Sequence, residues 1–130
     1  MSKIKKRFFA LMLSMGIITS SFFAVFAATT SFTNLSVPRN QAMQYLSVVS
    51  KSTSSNYGYA NISKLTADAV TFSVRGLGDD FGPGTVCNGT GQWRVSYSKT
   101  YPSGKSMQAR FRNHNWTNAT RTISGNFDYK

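Results

Sequence analysis

Between Trp93 and Arg112 the chain alternates apolar and polar residues with a period of two, interrupted once by Pro102-Ser103-Gly104. Successive side chains of an extended backbone point to opposite sides, so this is the pattern of strands with one buried face. Trp93, Val95 and Tyr97 share one side of the first run, and Met107, Ala109 and Phe111 share one side of the second. The other side carries Arg94, Ser96, Gln108, Arg110 and Arg112. Proline presets φ for a turn and glycine accepts positive φ. The segment therefore predicts a β-hairpin with an apolar side and a basic side. On this reading Arg94, Arg110 and Arg112 gather on one surface, with Lys99 and Lys105 at the hairpin tip.

The rest of the chain reads as more strands. Phe32, Leu35 and Val37 miss strict alternation by one place over 30–38, which a bulge near Thr33-Asn34 repairs, and Pro38 ends the run. Residues 39–43 read as a connection, 44–51 as a second strand, and the Ser/Thr-rich stretch from Lys51 to Asn56 as a loop. Tyr57 to Leu65 reads as a third strand. Val70, Phe72 and Val74 alternate with Thr71, Ser73 and Arg75 in a fourth, over 69–75. Gly76 to Gly91 holds six of the ten glycines plus Pro83. It reads as one long loop, and loops of that length are often functional. Asn113 to Ala119 is a polar loop bearing Trp116, and 120–129 is a final strand. No segment keeps a helical period. Six or seven short strands with closely spaced turns predict an all-β fold, a small antiparallel β-sandwich, with a small closed barrel as the alternative.

The N-terminus is an address. Lys3, Lys5, Lys6 and Arg7 precede a largely apolar run from Phe8 to Phe26, and Val25-Phe26-Ala27 is a cleavage-site pattern. A signal peptide over 1–27, cleaved after Ala27, leaves one secreted domain over 28–130; a retained anchor is the alternative. Four of the fifteen basic residues leave with the signal, so eleven remain against four Asp and no Glu. A basic exported domain points to an anionic partner: a membrane surface, an anionic wall polymer or a lipid-linked wall precursor. Nucleic acid is the weaker fit, because the strand aromatics alternate to the side opposite the arginines and form no stacking platform among the charges. Cys87 is the lone cysteine, so no internal disulfide forms. That suits a Gram-positive exporter better than a eukaryotic secretory route. The Asn-x-Ser/Thr triplets at Asn34, Asn61, Asn88, Asn115 and Asn118 are then ordinary polar residues.

Catalytic chemistry has thin support. Cys87 and His114 are the one classical nucleophile and the one classical base, and nothing in the spacing brings them together. Asp79-Asp80 lacks the spaced oxygen pattern of a calcium loop. Four Asp give no evident acid–base pair. Gly76-Leu77-Gly78 lacks the third glycine and following helix of a dinucleotide loop, and no cofactor or metal is implied. The basic surface is the better signal, since guanidinium forks bind phosphate bidentately. Tyr101 and Trp116, read as loop residues, suit its rim, where an amphipathic ring meets a headgroup or a sugar.

The same stretch carries a family resemblance. Val95-Ser96-x-Ser98 leading to Tyr101, Gly104-Lys105-Ser106 with Ala109, Asn113-His114-Asn115, and Arg121-x-x-Ser124-Gly125 with Phe127 resemble the small secreted bacteriocins of the lactococcin 972 family and related Gram-positive exported proteins. The resemblance covers roughly residues 93–127. It implies a signal peptide, a disulfide-free β-sandwich and a cell-envelope target, the family's prototype acting on septum synthesis through the lipid-linked wall precursor. The chain is thus expected to be a secreted, non-enzymatic, bacteriocin-like antimicrobial that binds an anionic envelope component. The alternative is an exported wall-glycan-binding or adhesive module.

Overall fold

Alternation dominates the structure, a computed structural model that describes residues 28–130. The segment read as signal peptide lies outside the described residues. Nine strands form in chain order: β1 (Thr29–Val37), β2 (Gln44–Tyr45), β3 (Val49–Ser50), β4 (Ser55–Leu65), β5 (Val70–Gly76), β6 (Thr85–Cys87), β7 (Gly91–Tyr101), β8 (Ser106–Asn113) and β9 (Arg121–Asp128). They build two antiparallel sheets. The first runs β1-β9-β4-β7; the second runs β2-β8-β5-β6, with β3 also paired to β8. Both sheets are open, so the fold is the expected β-sandwich and not the barrel.

The burial pattern follows the sequence period. Along β8 every second residue, Met107 to Asn113, is buried, and β5 buries Val70, Phe72 and Val74. The inward side chains merge into one core, centred on Phe32, Phe72, Phe111 and Phe127 with ring centroids 5.2–6.4 Å apart. Such ring pairs each add about 0.5–1.5 kcal/mol beyond the area they bury. Without a disulfide, this aromatic packing and the ladders hold the domain. The bulge expected near Thr33-Asn34 is present: the β1–β9 register shifts between Phe32 and Leu35, and Asn34 has φ of 45°.

The hairpin predicted between Trp93 and Arg112 does not form. Both its strands exist, but β7 pairs with β4 in the first sheet and β8 pairs with β5 in the second. Pro102-Ser103-Gly104 is a turn, with Gly104 at φ of 86°, yet it carries the chain from one sheet to the other. A period of two says which side of a strand is buried. It does not distinguish a neighbour beside the strand from a neighbour facing it across the core. Val95 and Tyr97 therefore point inward from one sheet while Met107, Ala109 and Phe111 point inward from the other.

Three smaller expectations also change. The strand read over 44–51 splits into β2 and β3, because Leu46 turns into the core while its amide bonds the Ala109 carbonyl at 2.9 Å. The Gly-rich stretch contains β6, which pairs with the start of β5. Lys51, read as a loop residue, is 2% exposed. Its ammonium donates to the Ser55 carbonyl (2.9 Å), the Ser55 hydroxyl (3.0 Å) and the Tyr101 carbonyl (2.8 Å), which ties the approach to β4 onto the end of β7. These acceptors are neutral, and burial holds its pKa below the ordinary lysine value.

Candidate functional site: a basic groove on the second sheet

The two-sheet arrangement separates the arginines that the hairpin reading had joined. Arg94 leaves the outer face of the first sheet, beside Tyr59 and with its guanidinium 4.1 Å from the Tyr57 ring. Arg110 and Arg112 leave the outer face of the second sheet, opposite Ser73 and Thr71 of β5. Tyr101 is no rim residue: it is 2% exposed, and its hydroxyl donates to the Asp79 carboxylate at 2.9 Å. Lys99 is drawn to the same carboxylate, 3.3 Å away, and Lys105 donates to the Leu77 carbonyl at 3.0 Å. The two lysines therefore clamp the Gly-rich loop and do not crown a tip. Trp116 is 64% exposed in its loop, as read from the sequence.

What the structure does bring together is a groove over Arg110 and Arg112. It holds about 160 Å³ and is lined by Met43, Thr71, Ser73, Gly82, Gly84 and both arginines. β8 supplies the arginines because they alternate with the buried Ala109 and Phe111. β5 supplies the hydroxyls because Thr71 and Ser73 alternate with Val70, Phe72 and Val74. The Ser73 hydroxyl accepts from Arg110 Nε at 3.0 Å, which fixes the guanidinium over the sheet. Thr71 Oγ1 lies 3.0 Å from His114 Nδ1. The Gly-rich loop folds back along this face: the Gly82 amide bonds the Val74 carbonyl at 2.9 Å. It carries Phe81 over two guanidiniums, 3.8 Å from Arg110 and 4.7 Å from Arg75. The Tyr45 ring lies 6.0 Å from that of Phe81, tilted to it by 59°.

Among the described residues, neither Arg110 nor Arg112 is paired with a carboxylate; the two ion pairs are Lys99–Asp79 and Lys130–Asp128. The groove is thus a cationic site with unspent donors, two hydroxyls and an aromatic wall. Guanidinium groups with free N–H donors are suited chemically to an anion with several acceptor oxygens. Exposed apolar side chains flank the groove: Met43 on β2's approach, Tyr45, and Val86 opposite Thr71 on β6. Asn40 bonds Thr117 at 2.8 Å, so the connection leading to Met43 is joined to the loop that bears Trp116.

Two other sequence candidates sit outside this groove. Asp79 is engaged by Tyr101 and Lys99, which hold its carboxyl below the usual range. Among the described residues no three His, Cys, Asp or Glu side chains cluster as metal ligands. Cys87 is fully buried, its thiol 3.7 Å from the Thr85 carbonyl. Burial pushes that thiol up to about 12, the reverse of what activates a nucleophile. This has a measurable consequence. The unfolded thiol ionises near roughly 8.5, while the folded one keeps its proton to about 12. Between those values the native state binds more protons, so stability falls as pH rises. Burial raises Tyr97 and Tyr129 as well, and they add to the fall at higher pH. Lys51, shifted down, works in the opposite direction over part of that range. Replacing Cys87 with Ala is expected to flatten the loss between roughly pH 8.5 and 10 by up to about 1.4 kcal/mol per pH unit. Urea midpoints measured at three pH values check it.

No protein-family model matches this chain, and no curated protein does. A solved structure titled as the crystal structure of FLHE is similar, with a TM-score of 0.51, 81% of this chain and 96% of that chain covered, and 8% sequence identity. The likeness is one of fold alone.

Proposed function

We propose that the protein is a secreted, basic, non-enzymatic β-sandwich that acts at bacterial cell envelopes as a bacteriocin-like antimicrobial. It binds an anionic envelope component through the outer face of the second sheet. One observation carries the reading: Arg110 and Arg112 stand in register with the hydroxyls of Ser73 and Thr71, free of carboxylate partners among the described residues. The N-terminal charge-and-apolar pattern supports export, and the excess of lysine and arginine supports an anionic target. The aromatic and apolar rim supports work at a headgroup boundary, where such side chains settle.

Vesicles containing phosphatidylglycerol are the probe. Arg110→Glu with Arg112→Glu is expected to weaken cosedimentation at least tenfold, since each charge-assisted hydrogen bond contributes about 1.5–3 kcal/mol. Arg94→Glu, on the opposite sheet, should leave binding within about twofold. Raising salt from roughly 50 to 500 mM should release the wild-type protein. Binding that survives the double substitution, or an equal loss with Arg94→Glu, overturns the reading.

A further inference from the structure

The outer face of the first sheet has a different chemistry. Gln92 of β7, Asn61 of β4 and Asn126 of β9 lie in one row across the sheet. Gln92 Nε2 donates to Asn61 Oδ1 at 3.1 Å, and Asn61 Nδ2 donates to Asn126 Oδ1 at 2.9 Å. The three amides are therefore oriented head to tail. The row leaves an acceptor, Gln92 Oε1, at one end and a donor, Asn126 Nδ2, at the other. Neither atom has a side-chain partner among the described residues. Two strand spacings separate the ends, about 10 Å.

Beside the row opens a groove of about 540 Å³, lined by Thr33, Asn61, Ser63, Gly91, Ser124 and Asn126, with Phe32 and Ile62 at its base. That volume lies within the range of sites that hold small ligands. No charged side chain lines it, although the chain as a whole is strongly basic. Tyr59 stands two residues from Asn61 on the same side of β4. Its ring is held edge-on to Tyr57 at 5.5 Å, and Tyr57 is in turn held by Arg94.

We infer that this face is a second binding site, for a neutral glycan chain. Sugar hydroxyls both donate and accept, which suits a row of fixed amides offering one of each, with Ser and Thr hydroxyls alongside. A tyrosine ring supplies the apolar surface on which the C–H face of a pyranose rests. The uncharged lining disfavours phosphate, and the hydrogen-bonding row disfavours an apolar partner. The site is independent of the arginine groove. A sandwich with both would join a neutral glycan on one face to an anionic component on the other, and the two contacts would reinforce each other through effective concentration.

Chitotetraose and cellotetraose are the probes, titrated into the secreted protein and followed by calorimetry and amide chemical shifts. At least one is expected to bind, with shifts centred on Asn61 and Asn126 and with no response to added salt. Gln92→Ala, at an exposed edge where folding is not at stake, and Asn61→Ala should each weaken binding about fivefold or more. The double substitution at Arg110 and Arg112 should leave it unchanged. The inference is overturned by absence of binding of both tetrasaccharides up to about 10 mM. Binding indifferent to both amide substitutions, or lost with the arginines, overturns it equally. Failure of vesicle binding would leave it standing.

Discussion

Replacing Tyr129 with Ala is expected to remove about 5 kcal/mol of stability and leave the domain largely unfolded at 37 °C. The side chain is fully buried at the end of β9, its ring 4.7 Å from that of Phe127. Truncating a large buried aromatic costs about 3–5 kcal/mol in lost transfer and residual cavity. A second loss adds to this. The Tyr129 hydroxyl accepts the Ala109 amide proton at 3.0 Å, so a residue following the first sheet satisfies a backbone donor of the second. Without it that buried N–H is orphaned, at about 1–3 kcal/mol. The conservative change to Phe isolates the hydrogen bond and should lose about 1–3 kcal/mol alone. Urea denaturation of the three proteins at neutral pH separates the terms. A Tyr129→Ala protein within about 0.5 kcal/mol of wild type, the range of a surface substitution, contradicts the packing described.

Gly125→Ala is expected to cost about 3 kcal/mol or more, far above an ordinary glycine-to-alanine change. Gly125 has φ of 154° and sits where the β4–β9 ladder shifts register. A Cβ there would overlap the Asn61 carbonyl oxygen, a backbone atom that cannot swing aside. β9 lies between β1 and β4, so relief of the clash disturbs both ladders of the first sheet. Gly104 is the control. Its φ of 86° is equally unfavourable for alanine, but a Cβ there meets nothing within 4 Å. Gly104→Ala should therefore show only the conformational cost, about 1 kcal/mol. Equal midpoint shifts for the two variants would mean that close approach to Asn61 plays no part.

Functional substitutions divide along the same two sheets. Arg110 and Arg112 stand with Ser73, Thr71 and Phe81 on the outer face of the second sheet, and Arg94 stands over Tyr57 on the outer face of the first, outside the lining of the amide groove. Phe81 was beyond reach of sequence pattern, because it lies in a Gly-rich stretch with no period and reaches its place only when the Gly82 amide bonds Val74. Ser73 and Thr71 were visible as the polar positions of a clean strand, but nothing local marked them as neighbours of the distant Arg110 and Arg112. The amide row was hidden for the same reason: Asn61, Gln92 and Asn126 come from three strands and meet only through register.

Local sequence was enough to determine the fold class, the strands at 30–38, 57–65, 69–75 and 120–129, the bulge in β1 and the inward sets of β5, β7, β8 and β9. Side-chain direction in an extended chain depends on parity along the backbone and on little else. Which strand stands beside which was decided only by the tertiary structure. Two strands joined by a tight turn bury the same side chains whether they lie in one sheet or face each other across a core. The chain takes the second course, so that Val95 and Tyr97 help to roof the core from one sheet while Ala109 and Phe111 floor it from the other. That single choice sends Arg94 to one surface and Arg110 with Arg112 to the other, and gives the protein two faces of different chemistry.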